Sequence, residues 1–126
     1  MIEGFRRAVF NIVFVNQDDH VKNLSFHMDS GGAWGLTPAY DMTFAKGQGW
    51  TRTHQMLLAG KAEGVTLDDL IGVAEAFGIR AADKLIQHQL SVVDRWADVA
   101  RRYGVDEDTI DQVQTELDAR RRQLLV

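Results

Sequence analysis

Cysteine is absent from the 126 residues. That excludes disulfide staples, thiolate metal centres and a thiol nucleophile, and it is compatible with the cytoplasm, where the chain is expected to reside. Positive charge is scarce as well: 14 Lys and Arg stand against 18 Asp and Glu, a formal net charge of −4. A protein that grips nucleic acid or an anionic membrane through bulk positive charge is not composed this way, so neither is an expected partner. Apolar runs are short. The longest, Ala8 to Val15, is broken by Asn11 and falls far below the roughly 20 residues that span a bilayer. Met1-Ile2-Glu3 places an acid early, and no small-residue cleavage site follows an apolar core, so no secretory leader is expected.

What is present fits one domain over residues 1–126, with no repeat, linker or low-complexity segment. Phe5, Val9, Ile12 and Val13 recur at helical spacing, with Arg6 and Arg7 off that face, and predict a helix over 2–15. Leu24–Met28 and Ala33–Leu36 flank the turn formers Asp29-Ser30-Gly31-Gly32 and predict a β-hairpin, ended by the chain's single proline, Pro38. A mobile loop over Lys46–Trp50, a short strand over Thr53–Leu58 and a turn over 59–64 follow. Thr66 with Asp69 three residues on reads as a capping box. The helix it opens carries Leu67, Leu70, Ile71, Ala74 and Phe77 on its apolar stripe and stops at Gly78. A long helix over Ala81–Tyr103 has Ile86, Val93, Trp96, Ala97, Ala100 and Tyr103 facing inward, and a last one runs from Asp108 to Leu125. The expected fold class is mainly α with a small β-hairpin, an α+β arrangement.

The densest chemistry lies in Asn16-Gln17-Asp18-Asp19-His20-Val21-Lys22-Asn23, a polar stretch between apolar segments, with Asp41 returning toward it after the hairpin. Packed elements on both sides hold a short polar loop rigidly, a common way to build a reactive site. Two carboxylates and an amide oxygen form a hard-oxygen site suited to magnesium, which takes one or two protein carboxylates and completes its shell with phosphate oxygens and water. Asp18 and Asn23 share the D-x-x-x-x-N spacing of the base and metal ligand in protein kinases, where a second metal-binding Asp follows.

The stretch from Asn16 to Phe26, with Trp34-Gly35-Leu36-Thr37-Pro38-Ala39-Tyr40-Asp41-Met42-Thr43, resembles the HipA family of bacterial serine/threonine kinases, the toxin halves of HipBA-type toxin–antitoxin modules. The Asp-x-His-x-x-Asn portion is also similar to the catalytic loop of phosphoinositide kinases. Thr53 to Gly78 is similar to the HipA C-terminal domain, so the resemblance covers most of the chain. It implies a kinase C-lobe in which Asp18 is the catalytic base, Asn23 and Asp41 hold Mg2+, Lys22 stabilises the transferring phosphate and His20 orients the loop beside the nucleotide. It further implies ATP as co-substrate, a Ser/Thr protein substrate and a HipB-like antitoxin partner. One departure qualifies this. The family's phosphate-cradling loop and ATP-binding Lys belong to an N-terminal region, and no Gly-x-Gly-x-x-Gly or Walker motif occurs in this sequence. The N-lobe is therefore expected either on a separate chain or on a longer form of this one, and the isolated chain is expected to be weak or inactive.

Each residue also has a plainer reading. Asp19 is expected to be a solvated neighbour or capping acid. His27, His54 and His88 have no metal-ligand spacing and are expected at the surface or locally bonded. Trp34 and Tyr40 are expected to pack around the site, Trp96 and Tyr103 to lie in the core, and Arg120-Arg121-Arg122 to form a solvated helix end. The competing functional reading is a truncated, non-catalytic interaction module. A magnesium-dependent phosphohydrolase is a third, for which a nucleophile and a second carboxylate cluster are missing.

Overall fold

Among the described residues four helices carry the core, and a two-stranded hairpin is inserted between the first and the second. The structure, a computed structural model, describes residues 1–125. The chain runs through α1 (Ile2–Val13), a tight helical turn at Val21–Asn23, β1 (Phe26–Met28), β2 (Trp34–Leu36), a second tight turn at Trp50–Arg52, then α2 (Leu67–Ala76), α3 (Ala82–Arg102) and α4 (Glu107–Leu125). The chain is thus mainly α with a small antiparallel sheet, as its patterning implies. No helix among the described residues is long and apolar enough to cross a membrane.

α1 buries Phe5, Val9, Ile12 and Val13, the residues its periodicity singled out. Arg7 departs from the expected pattern, because it too is buried. Its Nε donates to Glu3 Oε1 at 3.0 Å and its Nη2 to the Thr37 carbonyl at 2.5 Å, so the charge is paired with a carboxylate and the strand-end backbone, while the buried Nη1 has no partner among the described residues. The helix ends at Phe14, whose ring stacks on Phe10, and Val15 takes a left-handed φ of 54°. That conformation is costly for a β-branched residue. It turns the chain so that Ala45 N donates to the Val15 carbonyl at 3.0 Å and Gln17 N donates to the Ala45 carbonyl at 2.8 Å.

The hairpin pairs Phe26 with Leu36 and Met28 with Trp34. Its turn is pinned by Asp29 Oδ1, which accepts from Gly31 N at 2.8 Å and Ala33 N at 2.9 Å. Trp34 is 70% exposed, so it does not pack around the polar loop as expected. The expected strand over Thr53–Leu58 does not form. His54 N donates to the Ala62 carbonyl, and Gln55 N and Met56 N donate to a side chain, Asp19, leaving no strand ladder.

The capping box of α2 is complete. Asp69 N donates to Thr66 Oγ1, and Thr66 N donates to Asp69 Oδ2 at 2.8 Å. Lys61 Nζ, 2.7 Å from Asp69 Oδ2, and the Thr66 amide hold the Asp69 carboxyl at about 2, below its ordinary 3.8. Thr66→Ala is expected to cost about 1 kcal/mol in urea unfolding. Because the folded-state value of Asp69 is depressed, the box contributes fully above about pH 4 and loses its contribution as pH falls toward 2. The difference between wild type and Thr66→Ala should therefore narrow across that window. An unchanged difference at pH 2 would remove Asp69 from the account.

α3 lies at the centre, packed against α1, α2 and α4. Ile86, Leu90 and Val93 are buried in one cluster with Leu70 of α2 and Val113, Leu117 and Leu124 of α4. Trp96 packs against this cluster, whereas Tyr103 is 82% exposed, contrary to expectation. It sits past the last turn of α3, before α4 begins, where nothing covers it. Phe77, at the end of α2, is exposed for a similar reason.

Candidate active site

The polar stretch is anchored from inside. Asn16 is buried, and its Nδ2 donates to Asn11 Oδ1 at 2.9 Å and to the Asp41 carbonyl at 3.0 Å. One amide thus ties α1, the loop and the returning Asp41 together, and a parallel bridge between Asn16 and Ala45 continues the tie. Asp41 itself adopts a left-handed φ of 52°, a conformation that Asp tolerates better than most residues. Tyr40 clamps the other side of the loop. Its hydroxyl donates to the Lys22 carbonyl at 2.7 Å and lies 2.5 Å from Ser25 Oγ.

Within this frame, Asn23 Nδ2 donates to the Asp18 carbonyl at 2.9 Å. With its nitrogen spent on the loop backbone, Asn23 keeps Oδ1 available as a ligand. His20, Asn23 and Asp41 line one cleft of about 90 Å³ together with Asn16, Asp19 and Tyr40. Asp18 does not line it, but joins it through the Asn23 bond and through His20, whose Nε2 lies 3.9 Å from Asp18 Oδ1. Lys22 is exposed and lies outside the cleft lining. The structure therefore brings His20, Asn23 and Asp41 to one cavity, sets Asp18 beside it, and leaves Lys22 in solvent.

The donor types on the cleft, the Asn23 amide and the Asp41 carboxylate, are compatible with a magnesium ion of the phosphate-bridging kind. Among the described residues no three His, Asp or Glu side chains gather as a protein-only metal cage. One amide oxygen and one carboxylate on a shared cleft, with the remaining positions open to water and phosphate oxygens, is the donor set magnesium uses in phosphoryl transfer. Among the described residues the buried Asn16 Oδ1 and His20 Nδ1 have no hydrogen-bond partner, and both residues line the cleft. They add polar capacity that an apolar occupant would not use.

A buried triplet behind the loop was not legible in the sequence. Asp19, far from being solvated, is 7% exposed. Its Oδ2 is 2.9 Å from His54 Nδ1, and its Oδ1 accepts from Gln55 N at 2.7 Å and Met56 N at 3.4 Å. Burial pushes the Asp19 carboxyl up, but the His54 hydrogen bond and the Gln55 and Met56 amides outweigh it and hold the group below its ordinary value. His54 is buried rather than at the surface, and its Nε2 is 3.1 Å from Arg120 Nη1, which also donates to the Ile12 carbonyl at 3.0 Å. Burial lowers the Arg120 pKa, so this arginine is not a solvated helix end. Arg121, by contrast, pairs with Asp94 at the surface. Residues 19, 54 and 120 share no local spacing; only the packing of α4 onto the loop joins them.

A family model described as the HipA-like C-terminal domain matches residues 1–120. No curated protein and no solved structure matches the chain.

Proposed function

The chain belongs to the HipA-like C-terminal domain family, and on that premise we propose that it is the C-terminal part of an ATP-dependent serine/threonine protein kinase. The observation that carries this reading is the Asn23 amide bonded to the Asp18 carbonyl, with Asn23 and Asp41 on one cleft. In the proposed reaction a substrate hydroxyl loses its proton to the Asp18 carboxylate as its oxygen attacks the γ-phosphorus of ATP, and ADP leaves. Asn23 Oδ1 and the Asp41 carboxylate would hold Mg2+, which would supply neutralisation of charge on the phosphate oxygens. Lys22, exposed beside the loop, would stabilise the transferred group, and His20 would orient the loop at Asp18. The phosphates' other face would be held by an N-lobe that residues 1–126 do not supply. As the toxin of a toxin–antitoxin module acting in the cytoplasm, the kinase would be held by a HipB-like antitoxin and would phosphorylate a protein.

Titration of ATP–Mg2+ into the chain by calorimetry tests the site. Weak binding is expected for the wild type and none detectable for Asp41→Ala. Equal binding by both removes Asp41 from the metal role.

One observation favours the second reading, a non-catalytic interaction module. An open apolar cleft of about 500 Å³ is lined by Phe5, Phe26, Leu36, Leu57, Phe77 and Ile79, of which Phe26, Leu57 and Phe77 are more than half exposed. A folded wild type that binds no ATP–Mg2+ at millimolar concentration, with or without an N-lobe chain, would favour this module over the kinase.

A further inference from the structure

Building on the kinase reading of the loop, we infer that His54 and Arg120 are positioning residues that set the catalytic loop through Asp19. The chain of contacts has a direction. A guanidinium carries donors only, so Arg120 Nη1 donates to His54 Nε2, 3.1 Å away. The ring proton is then on Nδ1, where it is donated to Asp19 Oδ2 at 2.9 Å. Both edges of the imidazole are spoken for, and the ring itself is buried. Asp19 is bonded in sequence to Asp18, so the orientation of its carboxylate fixes the peptide that carries the proposed base.

α4 holds the same frame at further points. Arg120 Nη1 donates to the Ile12 carbonyl in the last turn of α1, where the chain enters the loop. One turn earlier on α4, Glu116 Oε2 takes Lys46 Nζ at 2.5 Å, just beyond the Ala45 that pairs with Asn16. One helix thus braces the entrance of the loop, its middle and the segment that follows Asp41. Stability alone is a poor reason for this arrangement. Arg120 gives up solvation to face a histidine edge and a carbonyl rather than a bonded carboxylate, and an apolar side chain of similar volume would avoid that cost. Positioning is a sufficient reason, because displacing a catalytic group by about 1 Å costs on the order of 100-fold in rate.

The experiment compares Arg120→Met, Arg120→Lys and His54→Asn with the wild type. Backbone amide resonances of residues 17–23 are read in the isotope-labelled chain, and steady-state kinetics are read in the kinase assembled with its N-lobe. Arg120→Met is expected to stay folded and to move the resonances of the loop. Its kcat should fall on the order of 10- to 100-fold with KM for ATP within about twofold. Arg120→Lys, which can still donate to Nε2, should recover most of kcat; His54→Asn, which keeps a donor for Asp19 but loses Arg120, should not. Loop resonances unmoved in Arg120→Met overturn the relay whether or not the protein is a kinase. A fall in kcat no larger than the fall in folded fraction overturns it too. A wild type that transfers no phosphate counts against the kinase reading alone, since the amide spectrum is read independently.

Discussion

Asp19→Ala is expected to lower the unfolding free energy by about 1–3 kcal/mol, the range for leaving buried hydrogen-bond donors without their acceptor. The side chain is 6% exposed and its histidine partner 1%. Truncation leaves the Nδ1–H of His54 and the amides of Gln55 and Met56 without their acceptor, with the His54 ring almost fully buried. Asp19→Asn keeps one acceptor oxygen and should lose about half as much. The pH dependence follows from the sign of the shift. The folded-state carboxyl lies below its ordinary value, so its contribution is whole above about pH 4 and is lost as pH falls through the depressed value. Urea midpoints measured between pH 7 and pH 3 should fall for the wild type and flatten for Asp19→Ala. A loss under about 1 kcal/mol at pH 7 would show that the amides find other partners and would remove the network from the account of stability.

The adjacent residue should behave in the opposite way. Asp18→Ala in the assembled kinase is expected to lower kcat by about 100- to 10,000-fold, the range for loss of a general base, with nucleotide affinity nearly unchanged. Asp18 is only half-buried, and Asn23 bonds to its backbone carbonyl rather than to its carboxylate. Truncating the side chain therefore leaves Asn23 oriented and the cleft intact, and unfolding should shift by no more than about 0.5 kcal/mol. Transfer at the wild-type rate would remove Asp18 from the role of base. Loss of transfer accompanied by a large loss of stability would mean that the carboxylate has a structural role. Two neighbouring aspartates thus separate cleanly: one is read in the urea midpoint, the other in kcat.

The patterned elements were legible because their signals are local. The α1 stripe, the hairpin turn at Asp29 and the Thr66–Asp69 box each lie within a few residues, and each formed as expected. The errors fell where distant residues override local preference. Thr53–Leu58 has strand-like composition, but its amides are captured by the Asp19 carboxylate. Arg7 looked like a surface cation until Glu3 and the Thr37 carbonyl paired with it in the interior. Tyr103 keeps the spacing of the α3 stripe but lies past the last turn of α3 and is exposed.

By itself the sequence determined the family, the mainly α architecture with its hairpin, and the candidate loop with its returning Asp41, because periodicity, turn chemistry and a short motif are properties of neighbouring residues. Only the tertiary structure decided that Asn23 is oriented by the Asp18 backbone and that Asp19 joins His54 and Arg120 behind the loop. It also separated the two aspartates. The physical reason is that a buried polar group must find a partner wherever the packing supplies one, and here helix α4 supplies it about a hundred residues away from the loop it braces.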